Sequence, residues 1–141
     1  MLLGIDIGGT KCAIILGEAD SDNDISITDK TVMPTDKPEF EMIEHLFTEA
    51  ETLSEKNNVS LGDILGIGIS CGGPLNSKTG TVLSPPNLIG WYTIPIVHMT
   101  EQRFKLKTYL QNDANVGAFA DWHDVAGRRF AILTFLDSAT G

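Results

Sequence analysis

The sequence is poor in cysteine, in aromatic residues and in basic residues. Its 141 residues include 2 cysteines and 7% aromatic residues, and 10 Lys or Arg stand against 19 Asp or Glu, for a formal charge of -9. A nucleic-acid-binding surface needs clustered Lys and Arg, so we expect no nucleic-acid partner. Cys12 and Cys71 each adjoin an apolar, strand-like run, which favours free structural thiols in a reducing cytoplasm.

Long apolar runs are also missing. No stretch approaches the roughly 18 uninterrupted apolar residues of a membrane-spanning helix, and the N-terminal residues have neither the charged flank nor the apolar length of a signal peptide. The hydrophobic content of 42% is sufficient for one ordinary domain with a core. We therefore expect a cytoplasmic, globular protein with small-molecule partners and no membrane contact.

The residue pattern predicts three strands before the first helix. Apolar runs at Leu2–Ile7 and Cys12–Leu16 are separated by Gly8-Gly9-Thr10 and are typical of an antiparallel hairpin. Alternation predicts a third strand at Ile25–Met33. Apolar residues that recur at three- and four-residue steps between Pro38 and Asn58 predict a helix with one buried face.

The rest of the pattern alternates strands and helices. It predicts a strand, a small hairpin, a helix, a strand, a helix and a last strand, at Ile64–Ser70, Asn76–Leu83, Ile96–Phe104, Lys107–Leu110, Ala114–Val125 and Arg129–Phe135. The predicted class is α/β, with the order βββαβαβα and a final strand. Helical crossovers between strands imply a mixed, partly parallel sheet that is covered on both faces.

The turn after the first strand is a candidate phosphate-binding site. In Asp6-Ile7-Gly8-Gly9-Thr10-Lys11, the two glycines let the backbone approach a ligand, and the threonine hydroxyl and lysine ammonium can face phosphate oxygens. Asp6 alternates with its apolar neighbours, so its carboxylate points away from their contacts and could hold Mg²⁺ through water. A simple Gly-Gly hairpin with a solvated aspartate fits the same residues.

Asn112 and Asp113 lie at the junction between a predicted strand and a predicted helix. Open α/β sheets present their ligands at such junctions. An aspartate there, within reach of a substrate hydroxyl, can act as the general base that takes its proton during phosphoryl transfer. Either residue could equally be only the N-cap of the helix.

The loops around Gly73 and Asn87 form a third candidate site. Gly72-Gly73-Pro74 and the segment Pro85–Trp91 supply glycines, an asparagine and an aromatic ring, which suit hydrogen bonding to a polyhydroxylated ring and coverage of it. An ordinary surface hairpin is the alternative interpretation.

These motifs, in this order, resemble the N-terminal half of ROK-family sugar kinases. The resemblance rests on Gly4–Lys11, Gly66–Gly68 with Gly73-Pro74, Asn87–Trp91 and Asn112–Asn115, and it extends to about Phe135. It implies an actin-like ATPase fold of the ribonuclease H-like type, in which two lobes bind a sugar and Mg-ATP in the cleft between them.

The resemblance also implies roles for individual residues. Asp113 resembles the catalytic base for the acceptor hydroxyl, Asn112 and Asn87 resemble ligands of sugar hydroxyls, and Gly73 would shape the sugar pocket. The phosphate motif would consist of Asp6, near the magnesium ion, and of Gly8, Gly9, Thr10 and Lys11. The implied reaction moves the γ-phosphoryl group of ATP to a hexose hydroxyl, chiefly by positioning and charge stabilisation.

The sequence departs from the family pattern in three places. Gly72 stands where the family often has proline, and Leu136–Gly141 follows Phe135 where the family continues with a Gly-Thr-Gly type phosphate motif. The zinc motif of the family belongs to its other half, so no zinc site is expected here. We expect residues 1–128 to form the N-terminal lobe and residues 129–141 to be the start of a truncated second lobe.

The leading expectation is therefore the N-terminal lobe of an ATP-dependent hexose kinase, with little activity by itself; which sugar is accepted is left open. The alternatives are an inactive sugar-binding or interaction module and the sensor fragment of a ROK repressor. The repressor is disfavoured because the phosphate motif begins within a few residues of Met1, where family repressors carry a helix-turn-helix. An uncovered edge at the last strand further predicts a homo-oligomer.

Overall fold

A computed structural model describes residues 1–19 and 25–112 of the chain. Its strands are β1 (Leu2–Ile7), β2 (Lys11–Ala19), β3 (Ile25–Pro34), β4 (Ile67–Cys71), β5 (Leu75–Asn76), β6 (Thr81–Val82) and β7 (Thr108–Asn112). Its helices are α1 (Glu39–Lys56) and α2 (Ile96–Phe104), and a 3₁₀ turn lies at Leu61–Asp63. The predicted order of elements is confirmed through β7.

A mixed sheet of five strands, in the order β3-β2-β1-β4-β7, organises the fold. β1 and β3 each pair with β2 in antiparallel fashion, whereas β4 runs parallel to both β1 and β7. The predicted mixed, partly parallel sheet is confirmed. Because β1, β4 and β7 are parallel, their carboxyl ends meet at one edge of the sheet, and the loops that follow them share that edge.

Helix α1 packs one stripe of side chains against the sheet. Its buried residues follow the spacing of one helix face and are Met42, Ile43, Leu46, Phe47, Ala50, Leu53 and Ser54. Helix α2 joins the same core through Phe104, whose ring meets that of Phe47 edge-on at a centroid distance of 5.3 Å. Both helices therefore lie on the same face of the sheet.

The opposite face of the sheet is buried at β1 and β2 but exposed at β3, where Ile27 and Val32 are 46% and 53% exposed. Leu2 and Ile15, which alternate with residues of the core, are 0% and 1% exposed. Helices were expected on both faces of the sheet, and α1 and α2 cover one of them. The predicted helix at Ala114–Val125, the predicted strand at Arg129–Phe135 and the expected lobe boundary after residue 128 lie outside the described residues. No helix in the described part of the chain is long and apolar enough to cross a membrane.

Several strand boundaries differ from the predictions. The strand predicted to end at Leu16 continues to Ala19. The strand predicted from Ile64 begins at Ile67. A 3₁₀ turn ends at Asp63, where the Oγ of Ser60 donates to Oδ2 of Asp63 at 2.9 Å, and residues 64–66 connect this turn to β4. The strand predicted to end at Leu110 continues to Asn112, which pairs with Cys71. Parallel pairing thus includes the polar residues Gln111 and Asn112, which the apolar pattern had not assigned to the strand.

Candidate functional site

The carboxyl ends of the three parallel strands bring the predicted motifs together. The register places Ile7 beside Cys71 and Cys71 beside Asn112. The Gly8–Thr10 turn, the Gly72–Gly73 loop and Asn112 therefore lie side by side at the same edge of the sheet. Three segments that are far apart in the chain therefore meet at one candidate site.

The turn after β1 presents backbone amides to the outside. The Gly8 N–H donates to the carbonyl of Lys11 at 3.1 Å and closes the hairpin. Gly9, Thr10 and Lys11 are exposed. In the described ranges, the N–H groups of Gly9 and Thr10 take part in no hydrogen bond. Successive unpaired amides in a turn form a concave site for an anion, so this turn has the groups that bind a phosphate.

Asp6 lies at the end of β1 on the face opposite the α1 core, and its side chain is half-buried. Its neighbours across the sheet on that face are Ala13 and Ser70. Mg²⁺ keeps several waters and uses one or two carboxylates together with substrate phosphates. A single carboxylate beside an anion-binding turn fits such a hydrated ion. No group of three His, Cys, Asp or Glu residues that could hold a metal exists among residues 1–19 and 25–112.

Asn87 meets the turn directly. A Cβ atom at Gly9 would lie 2.6 Å from both the Cβ and the carbonyl oxygen of Asn87. This distance is too short for a real Cβ atom, so the position requires glycine. A cavity of about 80 Å³ forms between the turn and the two loops. Its walls include Gly8, Gly9, Gly72, Gly73, Pro86 and Asn87.

Gly73 and Asn112 are also in close contact. A Cβ atom at Gly73 would clash with Nδ2 of Asn112. The amide of Asn112 therefore occupies the space beside the Gly72–Gly73 loop. Two of the residues predicted to contact a sugar, Gly73 and Asn87, thus line the same cavity as the predicted phosphate turn, and the third, Asn112, contacts Gly73. Asp113, the predicted base, follows Asn112 in the chain and lies outside the described residues.

Sequence reasoning missed two residues of the cleft. A second cavity, of about 170 Å³, shares Gly9 and Asn87 with the first and is also bordered by Thr35 and Lys37. Both residues follow the end of β3, and their sequence neighbourhood contains no motif that would single them out. Trp91, the aromatic residue expected to cover a ligand, borders this second cavity, although it is only 2% exposed and also packs in the core.

A larger cavity, of about 530 Å³, lies between the β5–β6 hairpin, α2 and β7. It shares no residue with the cleft formed by the predicted motifs. We nevertheless place the candidate site at the smaller cavity, because open α/β sheets bind their ligands at the carboxyl ends of their parallel strands. Glycines, backbone amides and asparagine side chains lie together there.

The sheet topology defines this chain as a lobe of an actin-like, ribonuclease H-like α/β fold, with a candidate site at the ends of its parallel strands. Residues 2–137 match the model of the ROK family. The chain belongs to the ROK family.

Sequence relatives include both regulators and enzymes. The chain is 31% identical over 130 residues to the xylose repressor of Caldicellulosiruptor bescii, a match that covers 89% of this chain and 32% of the repressor. It is 29% identical over 141 residues to the glucokinase of Streptomyces coelicolor, covering 100% of this chain and 41% of the glucokinase. The chain thus spans well under half the length of these curated relatives.

Solved structures agree with the fold. The ROK hexokinase of Thermus thermophilus superposes with a TM-score of 0.70 at 29% identity, covering 86% of this chain and 38% of the hexokinase. The predicted resemblance to the N-terminal part of glucokinase-like ROK proteins is confirmed by these matches.

Proposed function

We propose that this chain supplies the sugar-binding side of an ATP-dependent hexose kinase, in which the γ-phosphoryl group of ATP is transferred to a sugar hydroxyl. The observation that carries the proposal is the contact between Gly9 and Asn87. It unites a turn suited to phosphate with a loop suited to a polyhydroxylated ligand. A kinase needs its donor phosphate and its acceptor hydroxyl side by side, because most of its rate enhancement comes from positioning.

The proposed roles follow from the chemistry of each group. The side-chain amides of Asn87 and Asn112 would donate to and accept from sugar hydroxyls. Asp113 would accept the proton of the attacking hydroxyl. The amides of Gly9 and Thr10 would hold phosphate oxygens, with Thr10 and Lys11 adding a hydroxyl and a positive charge. Mg²⁺, held through water by Asp6, would neutralise charge on the transferring phosphate.

Release of ADP tests the proposal. This chain, its Asp113→Asn variant and the complete Thermus thermophilus ROK hexokinase would be incubated with Mg-ATP and a panel of hexoses. Sugar-dependent ADP formation that disappears in Asp113→Asn supports catalysis by this chain. If the chain is inactive, sugar binding measured by calorimetry decides whether the acceptor site exists; absence of both contradicts the proposal.

The relatedness to a xylose repressor favours a second candidate, a sugar-sensing module without phosphoryl transfer. In that protein class the cleft would bind a sugar without needing the base or the phosphate turn. The two candidates differ in their response to substitution. Asp113→Asn would abolish turnover in a kinase, whereas sugar affinity in a sensing module would be insensitive to Mg-ATP and to substitution of Lys11.

A further inference from the structure

Thr35, directly after β3, contacts both sides of the Gly8–Thr10 turn. Its hydroxyl donates to the carbonyl of Gly8, with 2.7 Å between Oγ1 and O. Its backbone N–H donates to the carbonyl of Thr10 at 2.9 Å. One residue thus makes two hydrogen bonds to a turn that lies 25 residues earlier in the chain.

These two bonds determine where the amides of the turn point. A peptide unit is planar and trans, so its C=O and N–H point in opposite directions. The carbonyl of Gly8 belongs to the same unit as the N–H of Gly9, and the carbonyl of Thr10 to the same unit as the N–H of Lys11. When Thr35 holds both carbonyls, both N–H groups are directed away from it.

The hydroxyl of Thr35 also replaces an ordinary hairpin bond. Directly hydrogen-bonded residues of an antiparallel pair usually exchange two N–H to C=O bonds. Gly8 donates to Lys11, but the carbonyl of Gly8 accepts the hydroxyl of Thr35. The N–H of Gly8 is therefore bonded within the hairpin backbone, whereas its carbonyl is bonded to the side chain of Thr35.

Cys12 supports this arrangement from the core. Its Sγ lies 3.1 Å from Oγ1 of Thr35. The same Sγ lies 3.9 Å from the carbonyl oxygen of Gly8, so the thiol contacts both partners of the hydrogen bond between Thr35 and Gly8. Cys12 is 1% exposed, and burial raises the pKa of its thiol although the hydrogen bonds with Thr35 and Gly8 oppose the increase. The sulfur therefore stays protonated at neutral pH.

We propose that Thr35 is a positioning residue of the candidate phosphate turn: its hydroxyl holds the carbonyl of Gly8 and thereby orients the amide of Gly9 toward a bound phosphate, while its N–H anchors the carbonyl of Thr10. This inference rests on the proposed function for the identity of the ligand. The orientation of the amides is a property of the ligand-free chain and can be measured without any activity.

The test compares three variants of this chain by amide nuclear magnetic resonance. Thr35→Val keeps the shape of the side chain and removes the hydroxyl; Thr35→Ser keeps the hydroxyl. Thr35→Ala is the second hydroxyl-free variant, in case valine prevents folding. Without ligand, we expect the chemical shifts of the Gly9, Thr10 and Lys11 amides to change in Thr35→Val and Thr35→Ala. Thr35→Ser should resemble the wild-type chain.

Titration with Mg-ATP then adds the ligand. We expect the hydroxyl-free variants to bind about tenfold more weakly, as the loss of one buried hydrogen bond allows, and Thr35→Ser to bind within about twofold of wild type. Turn amides that are unchanged without ligand in the folded hydroxyl-free variants would overturn the inference. Failure of the wild-type turn amides to respond to Mg-ATP would instead count against the proposed function, and the ligand-free comparison would still decide the role of Thr35.

Discussion

Gly9 and Asn87 are in contact through their backbones: a Cβ atom on Gly9 would lie 2.6 Å from the carbonyl oxygen of Asn87 and equally close to its Cβ. Neither of these atoms belongs to the flexible end of a side chain. The distance between the turn after β1 and the loop that contains Asn87 is therefore set by the absence of a side chain at Gly9. This contact makes the candidate phosphate turn and the candidate sugar loop two walls of one cleft.

Gly9→Ala should separate these two walls. We expect sugar affinity to fall at least tenfold and the free energy of unfolding to fall by about 1–3 kcal/mol, as for other substitutions that force backbone shifts. Calorimetric titration with sugar and urea unfolding would measure the two effects.

Gly62→Ala is the matched control, because the nearest atom to its added Cβ is Ser60 Oγ at 3.8 Å. Its stability should change by no more than about 0.5 kcal/mol. A Gly9→Ala chain with the affinity and stability of the Gly62→Ala chain would show that the contact has no structural role.

Gly73→Ala should act through the side chain of Asn112. The group that its Cβ would strike is Nδ2, the end of a side chain that can rotate away. We therefore expect about a tenfold loss of sugar affinity with little loss of stability. In a chain that already carries Asn112→Ala, adding Gly73→Ala should cost almost nothing further, because residues in contact are not additive. Independent, additive losses in this double-mutant cycle would contradict the mechanism.

Local patterns were enough to predict most of the fold. The apolar stripe of α1 and the alternation in the first three strands depend on neighbouring residues, and both predictions are confirmed. The start of β4 was predicted three residues too early, because the apolar run that begins at Ile64 includes the extended connection between the 3₁₀ turn and the strand. The end of β7 was predicted wrongly because Asn112 is held in the strand by pairing with Cys71, a non-local interaction.

The candidate site was predictable only where a motif marks it. Gly73, Asn87 and Asn112 were found as motif residues, and the structure brings them together with Gly9. Thr35 follows a strand without any motif, and its hydrogen bonds to the turn depend on the pairing of β2 with β3. Such contacts across the sheet leave no local signal in the sequence.

Asp29 should make stability sensitive to acid. Its carboxylate accepts hydrogen bonds from Nδ2 of Asn57 at 2.9 Å and from the N–H of Lys30 at 2.8 Å. The bond from Asn57 and then that from Lys30 hold the pKa of Asp29 below its usual value. The associated stability is present above the unfolded-state pKa, near 3.9, and is lost as the pH falls from there through the lower folded-state pKa.

Urea unfolding between pH 6 and pH 2.5 would measure this dependence. The midpoint should fall less steeply with acid in Asp29→Asn than in the wild-type chain. Asp36→Asn controls for removal of an exposed carboxylate. Identical slopes for the wild-type and Asp29→Asn chains would show that the bonds to Asp29 do not distinguish its two protonation states.

Arg103 should stabilise the contact between the two helices more than a lysine can. Its guanidinium donates to both oxygens of Glu44 at 2.7 and 2.9 Å and to Glu51 at 2.7 Å, and it lies 5.8 Å from the centre of the Phe47 ring. The two carboxylates raise the pKa of Arg103 further above its ordinary value.

Lysine supplies a point charge instead of a planar fork, so it cannot make all these contacts at once. Because the three charged side chains are partly exposed, we expect Arg103→Lys to lower the free energy of unfolding by only about 1 kcal/mol. Lys56→Met, which removes a cation with a single 3.5 Å contact to Asp29, should lower it by less than about 0.5 kcal/mol. Thermal and urea unfolding would measure the stability of both variants. If the Arg103→Lys chain were as stable as the wild type, the positive charge alone would hold α2 against α1, and neither the planar guanidinium nor its contact with the Phe47 ring would be needed.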